Sequence, residues 1–340
     1  MRTQLFPRVS GIASIFAALV SSLVSAQAQT PSASADGLFH FTTAQSQQSL
    51  QEAATILRTV ANLPQVSIDI QQSTLTFHGP SEQVAMGQWM MAQLDTKGNE
   101  GAALQYTSPV GNDVVRVNFL THTTGPQQMQ EALTMLRTVA DIARIFNFTA
   151  RQAIVIRAKS ADMVFAEWIV DQLNIPAGGK LDATPRAYPG ATTSGYVARF
   201  NYLTNISGPQ AIQQALTVLR TVGDIRKIFN YSSLPALAMR GPETDIDRAE
   251  WMLQELNQPP GPNAGTQVYQ TPGADDLTRI FFLTNATDQG MAAALTAIRT
   301  GTTVRKAFYM TKPAAIVVRG TADQIEAAVQ IMAQRNGLAD

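Results

Sequence analysis

The chain has 340 residues and no cysteine, and its 25 lysines and arginines balance 25 aspartates and glutamates. The lack of cysteine excludes disulfides, thiolate nucleophiles, cysteine-bound metals and a lipid-modified cysteine. A net charge of zero argues against a nucleic-acid partner, because such binding requires an excess of positive charge.

The first part of the chain has the composition of an export signal. Arg2 and Arg8 flank a short basic start, an apolar run covers residues 9–24, and residues 26–28 have the small-x-small pattern of a cleavage site. The apolar run is shorter than the roughly 20 residues that a membrane-spanning helix needs. We therefore predict that residues 1–28 are a signal peptide, with an uncleaved anchor as the alternative. The mature protein is then periplasmic or secreted, with no transmembrane segment.

Beyond this leader, the sequence repeats one short motif at long, regular intervals. The motif is Leu-Arg-Thr-Val around Arg58, Arg137 and Arg220, and it changes to Ile-Arg-Thr-Gly around Arg299. The intervals are 79, 83 and 79 residues (137−58, 220−137 and 299−220). Such a period predicts tandem units of one structure. The predicted bounds of the four repeat units are 38–95, 114–174, 196–257 and 277–336.

Each unit is predicted to fold in the order β-α-β-β-α. In the first unit, the strand patterns cover 38–43, 66–70 and 74–77. Apolar residues from Leu50 to Val60 recur at helical spacing, and a second helix ends near Leu94. Two amphipathic helices can bury their apolar stripes on one face of a three-stranded sheet. The fold class is therefore predicted to be α+β, with four such units in tandem.

The segments between the predicted units cover residues 96–113, 175–195 and 258–276, and the last two are rich in Pro and Gly. This composition predicts loose connections rather than one continuous core. The second face and one edge of each sheet would then remain available to neighbours. Each segment carries one tyrosine, which either pins the linker against the next unit or is incidental. These residues are Tyr106, Tyr188 and Tyr269.

Several stretches resemble the periplasmic N-terminal domains of bacterial secretins, the outer-membrane channels of type II and III secretion and type IV pilus systems. The residues that carry the resemblance are Val117-Asn118-Phe119-Leu120, Ala153-Ile154-Val155-Ile156-Arg157, Ala166 to Asn174, Phe200-Asn201-Tyr202-Leu203 and Ile316-Val317-Val318-Arg319-Gly320. The resemblance implies a β-α-β-β-α domain that is similar to KH folds and packs side by side into rings. A secretin continues into a β-rich pore domain, so we expect secretin-type ring domains without the gate.

The recurring arginine is the most specific repeated feature. The positions are Arg58, Arg137, Arg220 and Arg299. Each lies near the predicted end of a first helix, where the helix dipole favours a cation. These arginines either cap the helix end, or contact a neighbouring unit or a protein partner. A second basic position, seven residues further on, is interpreted as a solvent-exposed charge at a sheet edge. It holds Arg144, Lys227 and Lys306, with Gln65 in the first unit.

The remaining candidate residues favour structural roles. Trp89, Trp168 and Trp251 keep the repeat spacing and are predicted to pack in the core rather than to form an exposed binding platform. At the same spacing the fourth unit has Gln330. Acidic residues next to two of the tryptophans have no counterpart in the other units, so they are interpreted as surface charges.

No catalytic or metal-binding motif is present. His40, His78 and His122 share no repeat register and no metal-ligand spacing. Nucleophile elbows and phosphate-binding loops are also missing. We therefore predict no cofactor, no metal and no catalytic residue, and a protein that is not an enzyme.

These features together predict a non-catalytic scaffold or assembly protein of the cell envelope, accessory to a secretion or pilus system. Its partners would be proteins, including further copies of itself. The alternative is a periplasmic protein whose units clamp a peptide, a glycan or a small ligand. A concave aromatic pocket between units would favour the alternative, and an exposed apolar helix face would favour assembly.

Overall fold

Two helices and one antiparallel sheet recur four times along the described chain. The computed structural model describes residues 33–43, 46–109, 112–123, 125–176, 181–192, 194–259, 267–284 and 286–334. The predicted signal peptide lies outside these residues, and within them no helix is both long and apolar enough to cross a membrane. The prediction of an α+β fold with four tandem β-α-β-β-α units is confirmed.

The four units share one order of elements, and units 2, 3 and 4 each begin with one additional strand. Unit 1 contains β1 (Ser34–His40), α1 (Gln47–Thr59), β2 (Gln65–Asp69), β3 (Thr74–Pro80) and α2 (Ser81–Asp95). Unit 2 contains β4 (Ala103–Thr107), β5 (Asp113–Phe119), α3 (Pro126–Val139), β6 (Arg144–Phe148), β7 (Ala153–Lys159) and α4 (Ser160–Leu173). Unit 3 contains β8 (Arg186–Ala187), β9 (Val197–Tyr202), α5 (Pro209–Thr221), β10 (Lys227–Tyr231), β11 (Ala236–Gly241) and α6 (Glu243–Leu256). Unit 4 contains β12 (Gln267–Gln270), β13 (Leu277–Phe282), α7 (Asp288–Thr302), β14 (Lys306–Thr311), β15 (Ala314–Gly320) and α8 (Ala322–Gln334).

Three of the four sheets contain one strand more than the sequence predicts. Sheet 1 has the order β1-β3-β2, whereas sheets 2, 3 and 4 have the orders β4-β5-β7-β6, β8-β9-β11-β10 and β12-β13-β15-β14. The additional strands β4, β8 and β12 lie in the segments expected to be loose linkers. Their backbones pair with the first strand of the following unit, as in the hydrogen bond from Phe119 N–H to the carbonyl of Ala102 at 2.9 Å. The prediction of three-stranded sheets is therefore wrong for units 2, 3 and 4.

The first helix of each unit is followed by a residue in the left-handed conformation. Asn62, Asp141, Asp224 and Thr303 have φ values of 62, 59, 61 and 59°. Asn and Asp are the non-glycine residues that adopt this conformation most readily, because their short polar side chains can bond to the local backbone. In the first three units, the next amide donates to a carbonyl in the last helical turn, which closes the helix end.

The units stack, so that a helix pair lies between its own sheet and the sheet of the next unit. One apolar cluster joins α1 and α2 to Val117, Phe148 and Val155 of sheet 2. A second cluster joins α3 and α4 to Phe200 and Ala238 of sheet 3, and a third joins α5 and α6 to sheet 4. The expectation of loosely connected units with an open second sheet face is therefore wrong for sheets 2, 3 and 4.

Burial along the central strands follows from this layering. In β3, Leu75 and Phe77 are buried and Thr76 between them is exposed. In β7, the adjacent residues Ile154 and Val155 are both fully buried. Strands that are covered on both faces have continuous apolar runs, whereas strands with one solvent face alternate. Sheet 1 therefore has one face in solvent, and sheet 2 is enclosed on both faces.

Candidate functional site: the junctions between units

Each unit of the described chain contacts the next one, and we name these contacts junctions 1–2, 2–3 and 3–4. At each junction, the first helix of one unit packs against an edge strand of the next sheet. The pairs are α1 with β6, α3 with β10 and α5 with β14. Apolar burial holds the layers together, and polar contacts fix how they align.

A side chain on the first helix fixes the alignment at each junction. The pairs are Glu52 with Thr149, Glu131 with Ser232 and Gln214 with Thr311. In each pair, one side-chain group accepts from both the backbone N–H and the hydroxyl of its partner. The distances are 2.7 and 2.8 Å, 2.8 and 2.6 Å, and 3.0 and 2.9 Å, in chain order. Two donors converging on one group set the position of the helix along the strand.

An aspartate at the left-handed position carries the ion pairs of two junctions. The contacts are Asp141 with Lys227 and Arg240, and Asp224 with Lys306 and Arg319. The two contacts of Asp224 measure 2.5 and 2.6 Å. Both lysines belong to the set that the sequence interprets as solvent-exposed edge charges. The structure instead gives each lysine a carboxylate partner on the preceding unit.

These contacts lower the pKa of both aspartates. Burial alone would raise the pKa of Asp141, but the hydrogen bond from Lys227 and the charge of Arg240 outweigh it. The same balance lowers the pKa of Asp224 below its ordinary value of 3.8. When the pKa of a carboxyl group is lower in the folded state, its charged form stabilises the fold at pH values above the ordinary pKa. That stabilisation is lost as the pH falls through the lowered folded-state pKa.

Junction 1–2 does not have an aspartate at the left-handed position. Its left-handed residue, Asn62, has no charge, and Arg157 pairs with Asp113 of its own unit at 2.9 Å. Arg157 also donates to the carbonyl of Val60, at the end of α1, at 3.3 Å. Arg319 contacts the end of α5 in the same way at 3.2 Å. Both guanidinium groups therefore meet helix carbonyls that have no partner within the helix.

The tryptophans hold the linkers in place. The ring pairs are Trp89 with Tyr106, Trp168 with Tyr188 and Trp251 with Tyr269, at centroid distances of 5.5, 5.5 and 5.3 Å. All three tryptophans are half-buried and pack against apolar clusters. Each tyrosine lies on or next to an added strand, so its ring packs on the unit behind while the strand pairs with the sheet ahead. The tyrosine thus contacts the preceding unit through its ring and the following unit through its backbone.

The recurring arginines contact their own units. Nη2 of Arg58 donates to the carbonyl of Val66 at 2.7 Å. The other three donate to the carbonyl eight residues further on, at 2.9, 3.1 and 2.6 Å. That carbonyl belongs to the strand at the sheet edge, so the guanidinium joins the helix end to the edge of its own sheet. All four side chains are exposed. A contact with a protein partner stays a prediction.

The three histidines have different surroundings. His78 Nδ1 lies 2.7 Å from Asp36 Oδ1, and His40 Nδ1 lies 3.3 Å from Thr74 Oγ1, both at sheet 1. His122 lies after β5 and is exposed. Among the described residues, no group of three or more His, Asp or Glu is placed to hold a metal ion.

Three surface grooves have volumes of about 240, 320 and 540 Å³. Their lining consists of aliphatic and polar residues, and no aromatic ring contributes to any of the three. The tryptophans and linker tyrosines pack against each other instead. None of these grooves therefore has the aromatic lining that a ligand clamped between units requires.

The junction residues are replaced at the two outer faces of the stack. On α7 and α8, the positions of the junction acceptor, the aspartate and the tryptophan hold Ala293, Thr303 and Gln330. On sheet 1, the positions of the hydroxyl donor, the lysine and the arginine hold Ile70, Gln65 and His78. The acceptor and the tryptophan are thus replaced only in the last unit, the aspartate is replaced in the first and last units, and the strand positions change in the first. This pattern is the sequence signal for junction residues, and the arginine motif alone does not reveal it.

Comparison with known proteins assigns no family. No protein-family model matches the chain, and no curated protein matches it. Among solved structures, it is similar to the N-terminal domain of the secretin XcpQ from Pseudomonas aeruginosa, at 14% identity over 43% of this chain and 64% of that chain, with a TM-score of 0.19. It is similar to Aeromonas hydrophila ExeD at 14% identity over 86% of this chain and 60% of that chain, with a TM-score of 0.17. It is similar to aspartate kinase from Synechocystis at 13% identity over 91% of this chain and 55% of that chain, with a TM-score of 0.19. The chain spans less than two thirds of each, and similarities of this size carry no functional argument.

Proposed function

We propose that the protein is an exported, non-catalytic scaffold of the cell envelope that binds protein partners along a stack of four units. The observation that carries this proposal is the set of three junctions, which hold the units in fixed positions by apolar burial, hydrogen bonds and ion pairs. A scaffold needs such fixed spacing between binding surfaces. The finer assignment, a periplasmic accessory of a type II or III secretion or type IV pilus system, is motivated by the sequence resemblance to secretin N-terminal domains.

The sides of the stack are the surfaces that this proposal assigns to partners. Each unit presents one exposed guanidinium there, from the recurring arginine. The alternative, a ligand clamped between units, has less support, because the inter-unit aromatic residues already pack on one another.

Fractionation and gene deletion in the native host test the proposal. We expect the protein to lose residues 1–28 and to appear in the periplasmic fraction, and its deletion to reduce secretion or piliation. Thr76→Asp on the outer face should complement the deletion. Val155→Asp, which places a carboxylate inside junction 1–2, should fail to complement it.

Three results would contradict the proposed function. An uncleaved cytoplasmic protein, or a deletion strain with normal secretion and piliation, would contradict the envelope role. Turnover by the purified protein in a hydrolase screen would contradict the non-catalytic role.

A further inference from the structure

The strand β1 is the edge of sheet 1 in the described chain, whereas the first long strand of every other sheet lies between two neighbours. Phe41 N–H donates to the carbonyl of Ser73 at 2.9 Å, so the odd-numbered residues of β1 direct their backbone groups toward β3. Backbone groups alternate in direction along a strand. Asp36, Leu38 and His40 therefore direct their N–H and C=O groups toward the open edge.

The side chains of the same residues lie on the solvent face of sheet 1. Leu38 is 67% exposed, the largest fraction among the exposed large apolar residues of the described chain. The Asp36 side chain is 85% exposed. In sheet 2 the position of Leu38 is taken by Val117, which is fully buried under the helices of unit 1. An exposed leucine on an unpaired edge strand is suited to the addition of another strand.

We propose that β1 binds β1 of a second copy of this chain, antiparallel and centred on Leu38. The product is a continuous sheet of order β2-β3-β1-β1-β3-β2 across a two-fold axis. Such pairing satisfies the outward backbone groups of both edges at once. It is independent of the scaffold role, since it requires only the edge of sheet 1.

The edge is complementary to itself in this register. Leu38 lies opposite the partner's Leu38 on the axis. Asp36 lies opposite the partner's His40, because the two residues are each two positions from the axis on antiparallel strands. The Asp36 carboxylate can accept a hydrogen bond from the partner's His40 ring, and the symmetry produces that contact twice. Opposite pairs of this kind, apolar with apolar and acidic with basic, stabilise antiparallel strands. Both residues of each pair direct their backbone groups toward the edge, so the hydrogen bonds are aligned.

The helix side of the edge is also suited to a second copy. In unit 2, Arg116 of β5 pairs with Glu167 of α4 at 2.7 Å, above the corresponding edge. The same positions in unit 1 hold Gly37 and Gln88, and Ala85 lies one turn before Gln88 on α2. Uncharged side chains at these positions allow α2 of both copies to approach across the axis without burying an unpaired charge.

Cysteine cross-linking tests the register directly, because the chain has no native cysteine. Leu38→Cys should form a disulfide-linked dimer under mild oxidation, since directly opposite residues in a hydrogen-bonded pair have Cα atoms about 5.5 Å apart. Thr76→Cys is the matched control, because it lies beside Leu38 on β3 and on the same face. Its partner would be about 14 Å away, three strand spacings of about 4.8 Å, so no disulfide should form.

Light scattering of the purified protein over a concentration series should show twice the mass of a single chain at high concentration. Asp36→Lys should weaken the dimer about tenfold or more, because it removes the carboxylate that accepts from the partner's His40 ring on both sides of the axis. The swap Asp36→His with His40→Asp should restore it. A monomer at every concentration, equal cross-linking of both cysteine variants, or a dimer that Asp36→Lys leaves unchanged would each overturn the proposal.

Discussion

Sheets 1 and 2 have the same three-strand arrangement of first, third and second strand, and each carries a helix pair on the same face. Their other faces differ at corresponding positions. Sheet 2 has Val117, Phe148 and Val155 where sheet 1 has Leu38, Asp69 and Thr76. The residues of sheet 2 are buried under α1 and α2, whereas those of sheet 1 face solvent. The comparison shows that the side chain at a repeated position is set by the layer it faces.

The helix layer at the other end shows the same rule. Met135 on α3 is fully buried, and the corresponding residue on α7 is Ala297, which is half-buried. Repeat proteins need terminal units with polar outer faces, because an apolar junction face without a partner would aggregate. A single repeated fold therefore contains two specialised ends and a shared interior.

The largest expected effect comes from placing the same charge on both sheets. Val155→Asp should lower the free energy of unfolding by about 3–5 kcal/mol, because the carboxylate would be buried without a partner. Thr76→Asp, at the corresponding exposed position, should change it by less than about 0.5 kcal/mol. Urea unfolding measures both. Equal losses would show that the face of sheet 2 is not enclosed.

The aromatic pair of junction 2–3 should have the next largest effect. Trp168→Gln installs the residue that unit 4 has at position 330 and should cost about 2 kcal/mol, less than a fully buried tryptophan because the ring is half-buried. Gln330→Trp on the outer face should give no stabilisation, since no linker tyrosine meets it. Thermal unfolding of the two variants provides the test, and a gain from Gln330→Trp would count against the linker explanation.

A smaller loss is expected from the junction acceptor. Glu131→Ala removes both hydrogen bonds to Ser232 and should cost about 1–2 kcal/mol, as expected for bonds to a charged group. The control Glu326→Ala removes only the bond from Gln330 within the outer helix α8 and should cost less than about 0.5 kcal/mol. If the control variant loses as much as Glu131→Ala, the junction contact contributes nothing of its own.

The smallest effect is a dependence on acid. Asp141 and Asp224 have lowered pKa values, so their ion pairs stabilise the fold above pH 3.8 and are lost as the pH falls further. Both side chains are about half exposed, so each pair should contribute less than about 1 kcal/mol. The double variant Asp141→Asn/Asp224→Asn should lose less stability than the wild type between about pH 4 and pH 2.

The reciprocal change sharpens this last prediction. Asn62→Asp supplies the aspartate that junction 1–2 lacks, close to Arg157, and should make unfolding more sensitive to acid. Urea unfolding at several pH values measures both variants. Identical pH profiles for wild type and both variants would show that these ion pairs do not stabilise the junctions.

Local patterns account for the elements that the sequence predicts correctly. The helical spacing from Leu50 to Val60 depends on residues within three turns of each other. The sequence therefore predicts α1 without knowledge of the elements that pack against it. The strand β8 has only two residues, Arg186–Ala187, and forms through pairing with β9. Such a short strand has no periodicity to recognise, and the Pro and Gly content of the segment predicts a loose linker instead.

The candidate site divides in the same way. The recurring arginine is prominent in sequence because all four units need the bond from helix to edge carbonyl. Glu131 and Asp141 are less prominent, because unit 4 has Ala293 and Thr303 at these positions and unit 1 has Asn62 in place of the aspartate. Their partners are 101 and 86 or 99 residues away in the chain, a separation at which no local pattern connects them.

The amino-acid pattern was sufficient for the α+β class, the order of elements and the fourfold recurrence, because these depend on periodicity along the chain. The stacking of helix pairs against the following sheets, and the added edge strands, depend on the tertiary structure. Burial of one unit's helices under the next unit's sheet is a relation between residues roughly one repeat apart, and it exists only when both surfaces have formed. That contact explains why sheet 1 has a polar outer face, whereas the corresponding faces of the later sheets are apolar.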